Sequence, residues 1–426
     1  MQQLRYIHAA DLHLDAPFSV FSDDADASLS RQMRKASFTS LERLERLCEN
    51  ERPDFLVLSG DLYNAEHHSI RAQLALRDLC ERLSSLNIRV FMAHGQHDPL
   101  ESRLKSIHWP ANTHIFDKQV QTVPLERDGE QIAIIHGASH SQGHTAGNLA
   151  GKFKRVPDAS CFQLGVLHCA VDNHACGHPV SGTLQDLRQS GLDAFALGGA
   201  HGHCTLSEQP FIAYAGTTQG LNFADSGMCG CHVVTVRHDG KTFACEASFR
   251  PLGPVVFDTV AVKLDGISEM ADAEQLLDAR LEKLEARHWP QCDTLLVRVV
   301  LEGATALDDI LRKETRIREL RERFSCRNNG GPSLRIHDIV VRTVADATRN
   351  EEHQRDDFLG CFLRKIQLLR ENPAQMQSLG KHALHAVYGH NQLRDLLQAP
   401  GEATYEQWLN AIASRGVSML EAGDVR

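Results

Sequence analysis

Short apolar runs alternate with longer amphipathic stretches over the first 250 residues, and this order restricts the fold more than any other feature of the chain. The runs have the length and composition of buried strands. Between them, apolar residues recur at helical spacing over Ser30–Asn50 and Ser69–Ser85. A strand–helix–strand order followed by strands with few helices predicts a layered α/β domain with mixed sheets. The predicted strands are Leu4–Ala9, Phe55–Leu58, Arg89–Ala93, Gln131–His136, Gln163–His168, Ala194–Leu197, Phe211–Tyr214, His232–Arg237 and Phe243–Phe249.

A break at Pro251-Leu-Gly-Pro254 separates this region from a second pattern of strands and helices. From residue 346 onward the chain consists of polar helical stretches interrupted by Gly and Pro. We therefore predict a main domain over 1–250, a small α/β cap domain over 251–345 and a helical C-terminal region over 346–426. In the cap domain, the predicted strands are Asp258–Leu264, Thr294–Leu301 and Leu334–Val341, the predicted helices are Ser268–His288 and Ala306–Phe324, and the predicted loop is Asn328–Pro332.

The composition is that of a globular protein, with 42% hydrophobic and 23% charged residues among 426. No apolar run approaches the roughly 18 residues that span a bilayer, and no signal-peptide pattern opens the chain. The 12 cysteines are scattered and form no CxxC pair, so we expect a reduced, cytoplasmic protein without a membrane partner. The net charge of −10 argues against a wholly basic nucleic-acid-binding surface, although a local basic stripe remains compatible with it.

Histidine is unusually frequent, with 24 residues, and several of them follow predicted strands. A single Asp-x-His at such a place is more often a turn with a solvated imidazole. Five polar clusters in succession, each at a strand end, instead predict a metal site in the crevice where α/β sheets place ligands. The mixture of carboxylate, imidazole and amide suits Mn²⁺, Fe²⁺ or Zn²⁺. The clusters are Asp11 with His13, Gly60 with Asp61, the run Gln96-His97-Asp98, His168, and the pair His201 and His203.

The order of these clusters resembles that of the calcineurin-like metallophosphoesterases, which carry D-x-H, GD, GNH[DE], H and GHxH in this sequence. The stretches IHAADLHLDAPF, GDLY, HGQHDP and LSEQPFIAYAGTTQG look most like those of the YhaO-type DNA repair exonucleases, which are relatives of SbcD. The resemblance covers about residues 1–250. It implies a layered β-sandwich that is flanked by helices. It also implies a site for one or two divalent metal ions, for which the family suggests Mn²⁺.

The resemblance also implies a role for each cluster. A first metal would be held by Asp11, His13, Asp61 and the last histidine of the fifth motif. Asp61 would bridge to a second metal, which the amide of Gln96, His168 and the first histidine of the fifth motif would hold. His97 would protonate the leaving oxygen, and Asp98 beside it is an alternative carboxylate. The sequence leaves open whether His201 or His203 fills each histidine position.

Three departures from the family pattern affect the second metal or proton donation. Gln96 replaces an asparagine, and Gly199 stands where ungapped alignment places the first histidine of the fifth motif, so that the last one is His201. Asn64 occupies the place of the aspartate that orients the proton donor. His203 or His136 could substitute for the missing histidine as a ligand of the second metal. We expect a weakened second site that improves when histidine, asparagine and aspartate are restored at positions 199, 96 and 64.

Two further features suggest macromolecular partners. The span 312–327 has a net charge of about +4, which fits a phosphate-tracking surface on the cap domain or simply a solvated helix face. Phe358, Phe362, Ile366 and Leu369 form an apolar stripe, which fits ordinary packing or a partner-docking face. The basic residues are Arg312, Lys313, Arg316, Arg318, Arg321, Arg323 and Arg327.

Taken with the resemblance, these features predict a metal-dependent exonuclease that acts on DNA in repair or processing. The chain has no Walker A motif, so the resemblance implies an SMC-like ATPase partner; a homodimer is a further expectation. One alternative is a catalytically impaired subunit that keeps the fold and one metal and serves in binding or regulation. Another is a phosphoesterase for small substrates such as cyclic nucleotides, which would need neither the cap nor the tail.

Overall fold

A computed structural model describes residues 3–18, 27–142, 148–172, 180–325, 332–345, 357–370 and 372–383, together with residues 408, 409, 412, 413 and 416. The chain divides into two compact units. The first comprises Met1–Asp258, Arg287–Leu296 and Asn328–Arg335, and the second Thr259–Ala286, Val297–Arg327 and Ile336–Arg426.

The described part of the chain contains strands and helices in alternation. The strands are β1 (Leu4–Ala9), β2 (Phe55–Ser59), β3 (Arg89–Ala93), β4 (Thr113–Ile115), β5 (Gln121–Arg127), β6 (Glu130–Ala138), β7 (Phe162–His168), β8 (Ala170–Val171), β9 (Val180–Gly182), β10 (Ala194–Gly198), β11 (Cys204–Glu208), β12 (Phe211–Tyr214), β13 (Gly230–His238), β14 (Phe243–Pro251), β15 (Val255–Lys263), β16 (Thr294–Thr305) and β17 (Ser333–Ala345). The helices are α1 (Ala27–Glu51), α2 (Ile70–Ser85), α3 (Leu184–Gln189), α4 (Met270–His288), α5 (Asp308–Leu311), α6 (Glu314–Phe324), and two helices of the tail over Phe358–Arg370 and Pro373–Ala383.

The first unit is built on two six-stranded sheets. Their orders are β14-β13-β1-β2-β3-β4 and β11-β12-β10-β7-β6-β5. β1 to β4 run parallel, as do β6, β7, β10 and β12. β13 joins β1 antiparallel and β14 joins β13 antiparallel, while β11 and β5 pair antiparallel with β12 and β6. Both sheets are therefore mixed, as predicted, and parallel strands bring their carboxyl-end loops to one edge of each sheet.

Alternating side chains along each strand produce the layers. In β1, Tyr6 packs into the core between the sheets, whereas Ile7 packs with the residues of α1 and α2. Along β2, Phe55 packs between the sheets and Leu56 packs with the helices. Successive side chains of a strand point to opposite faces of the sheet, which explains both cases. A third apolar cluster covers the outer face of the second sheet and includes Leu187 of α3. The architecture is the predicted β-sandwich flanked by helices.

All nine strands predicted in the first 250 residues are present, with ends that differ by one or two residues. α2 begins where its N-cap predicts, because the Ser69 hydroxyl accepts a hydrogen bond from the Ala72 amide at 3.1 Å. The sequence analysis missed the short strands β4, β8, β9 and β11, the longer β5 and the one-and-a-half-turn helix α3. β4, β8, β9 and α3 are too brief to establish a period. β5 contains Pro124, which argues against a strand in sequence, and β11 is largely polar.

The second unit contains most of a three-stranded sheet in the order β15-β16-β17. The single helix predicted over Ala306–Phe324 is wrong in detail, since α5 ends at Leu311 and α6 starts at Glu314. Arg312 lies at the break. Its guanidinium donates to the Asp308 carboxylate at 2.9 Å and to the Thr343 carbonyl at 2.8 Å, and so ties the break to β17.

The tail is described only in part. Of its apolar stripe, Ile366 and Leu369 are buried in a cluster with Met376, which supports ordinary packing, while Phe358 is 73% exposed. Arg327 and the predicted loop at 328–332, apart from its last residue, lie outside the described residues, as does most of 384–426. No described helix is long and apolar enough to cross a membrane. Division of the chain at residues 250 and 345 remains a prediction.

Candidate metal centre

Loops at the carboxyl ends of β1 and β2 form the floor of the site. The Asp11 amide donates to the Gly60 carbonyl at 3.0 Å, and the His13 amide donates to the Asp61 carbonyl at 3.0 Å. Asp11, His13 and Asp61 have φ angles of 50°, 41° and 50°. This left-handed region is uncommon for residues other than glycine, and such conformations concentrate at functional sites.

Three side chains form what we call the outer cluster, namely Asp11, His13 and His201, whose candidate ligand atoms all lie within 4.8 Å of one another. The Nε2 atoms of His13 and His201 are 3.3 Å apart. Each ring is oriented through its other nitrogen. Nδ1 of His13 lies 2.8 Å from Oδ1 of Asn64, and Nδ1 of His201 lies 2.7 Å from Oδ1 of Asp225.

A second group, the inner cluster, contains Asp11, Asp61 and His168, all of which are buried. His168 Nδ1 is 2.9 Å from the carbonyl oxygen of Ser59, and its Nε2 lies 3.3 Å from Oδ2 of Asp61. Although it is buried, this Nε2 has no hydrogen bond of proper geometry within the described chain. Asp11 belongs to both clusters and so lies between two candidate cation positions, a bridging place that the family resemblance assigns to Asp61 instead.

Burial and neighbouring charges shift the pKa values of these groups in opposite directions. Burial, with a contribution from the Asp61 charge, raises the pKa of Asp11 to about 6. Burial opposes ionisation of Asp61 as well, but His168 outweighs it and holds the pKa of Asp61 below its usual range. Burial disfavours the His168 imidazolium too, yet the carboxylates of Asp61 and Asp11 raise its pKa to about 10. The inner cluster therefore stabilises a positive charge, which in the metal-free protein is the proton on His168. A metal ion can bind there by displacing that proton.

The donor set fits a divalent metal. His13, His168 and His201 each have Nδ1 held by an oxygen acceptor, which leaves Nε2 directed to the centre. Metal-ligating histidines show this arrangement because the outer hydrogen bond fixes the tautomer. The 3.3 Å between the two outer Nε2 atoms matches the ~3.3 Å between two nitrogens on one tetrahedral ion with bonds of about 2.0–2.1 Å. Imidazole and carboxylate together suit Mn²⁺, Fe²⁺ or Zn²⁺.

Glycines allow the loops to approach this closely. A Cβ at Gly95 would lie 2.2 Å from Oδ1 of Asp61, and one at Gly198 would lie 2.0 Å from the Ser59 carbonyl oxygen. A Cβ at Gly60 would lie 2.5 Å from Nδ1 of His168. Real Cβ atoms essentially never come so near, so each of the three positions requires glycine.

The third motif lies at the edge of the site. His97 is exposed, its ring centroid is 5.3 Å from that of His13, and its amide donates to Oδ1 of Asp61 at 2.8 Å. Gln96 is half-buried in the same loop. The Asp98 carboxylate is fully buried and accepts hydrogen bonds from the backbone amides of residues 61, 62 and 95. Its Oδ2 is also 3.0 Å from Nδ1 of His94, so Asp98 ties two loops together.

His203 and His136 make their described contacts away from both clusters, whereas Gly199 contacts Asp11 through its backbone. His203 stacks on Phe249, with ring centroids 4.1 Å apart. Nε2 of His136 lies 3.0 Å from Oε1 of Gln163, and its Nδ1 lies 3.2 Å from Oγ1 of Thr122. Gly199 donates its amide to the Asp11 carboxylate at 3.1 Å and has φ 106°. A side chain there would be strained, with its Cβ 3.3 Å from His168 Nε2, which opposes the expected gain from a histidine at this position.

Sequence reasoning missed the groups that orient the ligands. The family pattern relates Asn64 to the proton donor, but its amide oxygen contacts His13. Asp225 lies in a loop with no strand-end signal. His94 and His140 do follow β3 and β6, so the strand-end rule could have found them. His140 Nε2 is 3.1 Å from the His168 carbonyl oxygen, and its ring centroid is 5.9 Å from that of His168.

Comparison with known proteins agrees with this geometry. Residues 4–164 match the model of the calcineurin-like phosphoesterase family, and residues 257–348 match that of the middle domain of the metallophosphoesterase YhaO. An uncharacterised metallophosphoesterase YhaO from Bacillus subtilis is 32% identical over 306 residues, which is 71% of this chain and 72% of the relative. The chain belongs to the calcineurin-like metallophosphoesterase family.

More distant members of this metallophosphoesterase family include nucleases. The SbcD component of the SbcCD nuclease from Staphylococcus epidermidis is 26% identical over 143 residues, covering 33% of this chain and 36% of that one. The double-strand break repair protein Mre11 from Thermoplasma acidophilum is 24% identical over 177 residues, covering 39% and 46%. Membership of the metallophosphoesterases accounts for the two-part donor set and indicates a metal-dependent hydrolase.

Proposed function

We propose that this protein is a metal-dependent DNA exonuclease. The observation that carries the proposal is the convergence of three oriented imidazoles on Asp11, which the outer and inner clusters share. Two cation positions joined by one carboxylate suit in-line displacement at a phosphodiester, because attacking and leaving oxygens can be stabilised together. The two nuclease relatives support DNA as the substrate class.

The metal, for which we propose Mn²⁺, would be held by His13, His201 and Asp11 in the outer cluster and by Asp61, His168 and Asp11 in the inner one. When bound, the cations supply an activated water and neutralise charge on the phosphate. The amide of Gln96 is proposed as a further ligand of the inner ion. Because Gly199 contributes an amide to Asp11 and no imidazole, we expect the inner ion to be the weaker one.

His97 is proposed to protonate the leaving oxygen. It is exposed beside His13, while its own amide fixes the loop to Asp61. Proton transfer by a positioned side chain is typically worth 10²–10⁴-fold. Asp98 cannot reach the reacting atoms while four groups hold its carboxylate, so we assign it to positioning of the loop.

A partner ATPase of the SMC-like type is part of the proposal. The sequence has no Walker A loop of its own, and the name of the S. epidermidis relative identifies it as one component of a larger nuclease. A homodimer and a cytoplasmic location complete the proposal.

The test is hydrolysis of end-labelled linear DNA by the purified chain with Mn²⁺, followed over time for stepwise shortening. His97→Ala should slow the reaction about 10²–10⁴-fold while Mn²⁺ binding is retained. His108→Ala, at an exposed histidine, is the matched control. Cleavage of cyclic nucleotides but not DNA would assign a small-substrate phosphoesterase. Retained metal and DNA binding without hydrolysis of any phosphodiester would assign the binding or regulatory subunit instead.

A further inference from the structure

We propose that a cleft beside the outer cluster binds a nucleobase by stacking it on the ring of His203. The cleft has a volume of about 520 Å³, within the ~300–1,000 Å³ usual for ligand sites. His201 lines it and also belongs to the outer cluster, so the cleft is continuous with the metal centre. The inference rests on the proposed function and names the part of the substrate that lies next to the scissile phosphate.

The stacked pair is the principal feature of the cleft. The rings of His203 and Phe249 are 4.1 Å apart and only 19° from parallel. Phe249 is half-buried and covers one face of the imidazole, while His203 as a whole is exposed. Bases in single-stranded nucleic acid stack on such rings, and they do so with little sequence preference because every base has a π-face.

A row of rings across the first sheet supports this pair. His232 of β13 is paired in register with Phe249 of β14 on one side and with His8 of β1 on the other. His232 contacts both His203 and Phe249 edge-on, with ring centroids 5.7 and 6.0 Å away. Burial, with a contribution from His203, lowers the pKa of His232 to about 4, so this ring is neutral near pH 7. A neutral, braced aromatic surface suits a base better than a phosphate.

The lining of the cleft also carries a positive charge. Arg287 lines it, is exposed, and makes no ion pair with any residue in the described ranges. Asp225, the acid in the lining, is already engaged with His201. The guanidinium of Arg287 can contact a phosphate of the bound nucleotide. The lining of the cleft thus contains both a ring and a cation, the two kinds of group that bind a nucleotide.

Chain geometry brings the ring within reach of the reacting phosphate. His203 is two residues beyond His201, and two residues of extended chain span at most ~7 Å. A phosphate at the outer cluster and its attached base at His203 are therefore compatible with one nucleotide. His203 is in neither cluster of candidate ligands found among the described residues, which leaves its ring available for this contact.

The experiment compares the binding of dAMP and deoxyribose 5-phosphate to the Mn²⁺-loaded full chain by calorimetry. We expect dAMP to bind more tightly, and His203→Ala to weaken dAMP binding roughly 5-fold to 140-fold, the range for loss of one base–aromatic stack. Binding of deoxyribose 5-phosphate should be unaffected. His203→Phe should restore dAMP binding, because a ring is needed and a nitrogen is not. Single-stranded decamers in competition show whether a strand end is preferred to the free nucleotide.

Several results would overturn the inference. One is equal affinity of the wild type for dAMP and the sugar phosphate. Another is a His203→Phe protein that behaves like His203→Ala and has lost Mn²⁺, because that would make His203 a metal ligand. His108→Ala should bind dAMP as the wild type does. Binding needs no turnover, so an absence of DNA hydrolysis would count against the proposed function and leave a base-dependent affinity standing.

Discussion

The metal centre and helix α6 are the two most highly charged regions that the sequence singles out, and the fold treats their charges differently. At the metal centre, strand topology brings Asp11 and Asp61 together in a buried place, where they raise the pKa of His168 to about 10. On α6, Glu274 contacts two of the arginines, lying 2.9 Å from Arg316 and also forming an ion pair with Arg323. The arginines of α6 are thus paired with a carboxylate of another helix, whereas the buried carboxylates of the metal centre are paired with the His168 imidazolium, whose proton a metal ion can displace.

Removal of the Asp11 carboxylate, which both clusters share, should have the largest effect of the four substitutions, on metal binding and on hydrolysis. Asp11→Asn takes a ligand from both clusters, so we expect loss of Mn²⁺ from both positions and hydrolysis below detection. Metal counting by mass spectrometry and the DNA assay measure the two effects. Asp128→Asn, in an exposed turn, is the matched control. A variant that keeps two ions would show that Asp11 is not shared.

Gly198→Ala tests the packing that holds His168. The new Cβ would lie 2.0 Å from the Ser59 carbonyl oxygen and 2.9 Å from His168 Nδ1. We expect a loss of about 3 kcal/mol in the free energy of unfolding, at the upper end for overpacking, and a weaker inner ion. Denaturant titration with and without Mn²⁺ measures both. Gly202→Ala, where a Cβ meets nothing within 4 Å, should leave stability unchanged, and equal losses in both variants would contradict the packing argument.

Asp225 should contribute less to metal binding than Asp11 does, because it acts by orienting the His201 ring. Asp225→Ala removes the acceptor that orients the ring and should weaken Mn²⁺ binding at the outer cluster about 10–100-fold. Asp225 also raises the pKa of His201 against the effect of burial, so this pKa should fall in the metal-free variant, as NMR titration would detect. Asp225→Asn keeps an acceptor and should lose less affinity. If both variants lose the same affinity, the charge matters rather than the orientation.

The smallest effect is expected on α6. Glu274→Gln removes the ion pair of Arg323 and one of the two ion pairs of Arg316, whose other partner is Glu319. Each arginine that gains a phosphate contact should steepen the plot of log affinity for DNA against log salt by about one unit. Arg318→Gln, at an exposed arginine of the same helix, should flatten the slope by at most about one unit. Unchanged slopes in both variants would show that α6 is a solvated face away from DNA.

Prediction from the sequence worked where a single local signal sufficed. Alternating apolar residues placed all nine strands of the main domain, and polar residues at strand ends identified Asp11, His13, Asp61, His168 and His201, which the structure brings together. The orienting contacts could not be predicted in this way, because Asp225 and Asn64 reach their histidines from loops far along the chain. The same holds for Glu274, which is 42 residues from Arg316. His203, which the sequence offers as a ligand, lies in neither cluster found among the described residues and stacks on Phe249, a contact that is also distant in sequence and has no local signal.

The left-handed backbone at Asp11, His13 and Asp61 ties the lifetime of the protein to its metal supply. Such a conformation costs roughly 1–2 kcal/mol per residue, and without metal the backbone hydrogen bonds of Asp11 and His13 have to offset that cost. A cation that binds only the folded form adds RT ln(1 + [L]/Kd) to stability. Loss of the divalent cation would therefore open these loops first and expose them to proteases, so resistance to proteolysis should rise with added metal.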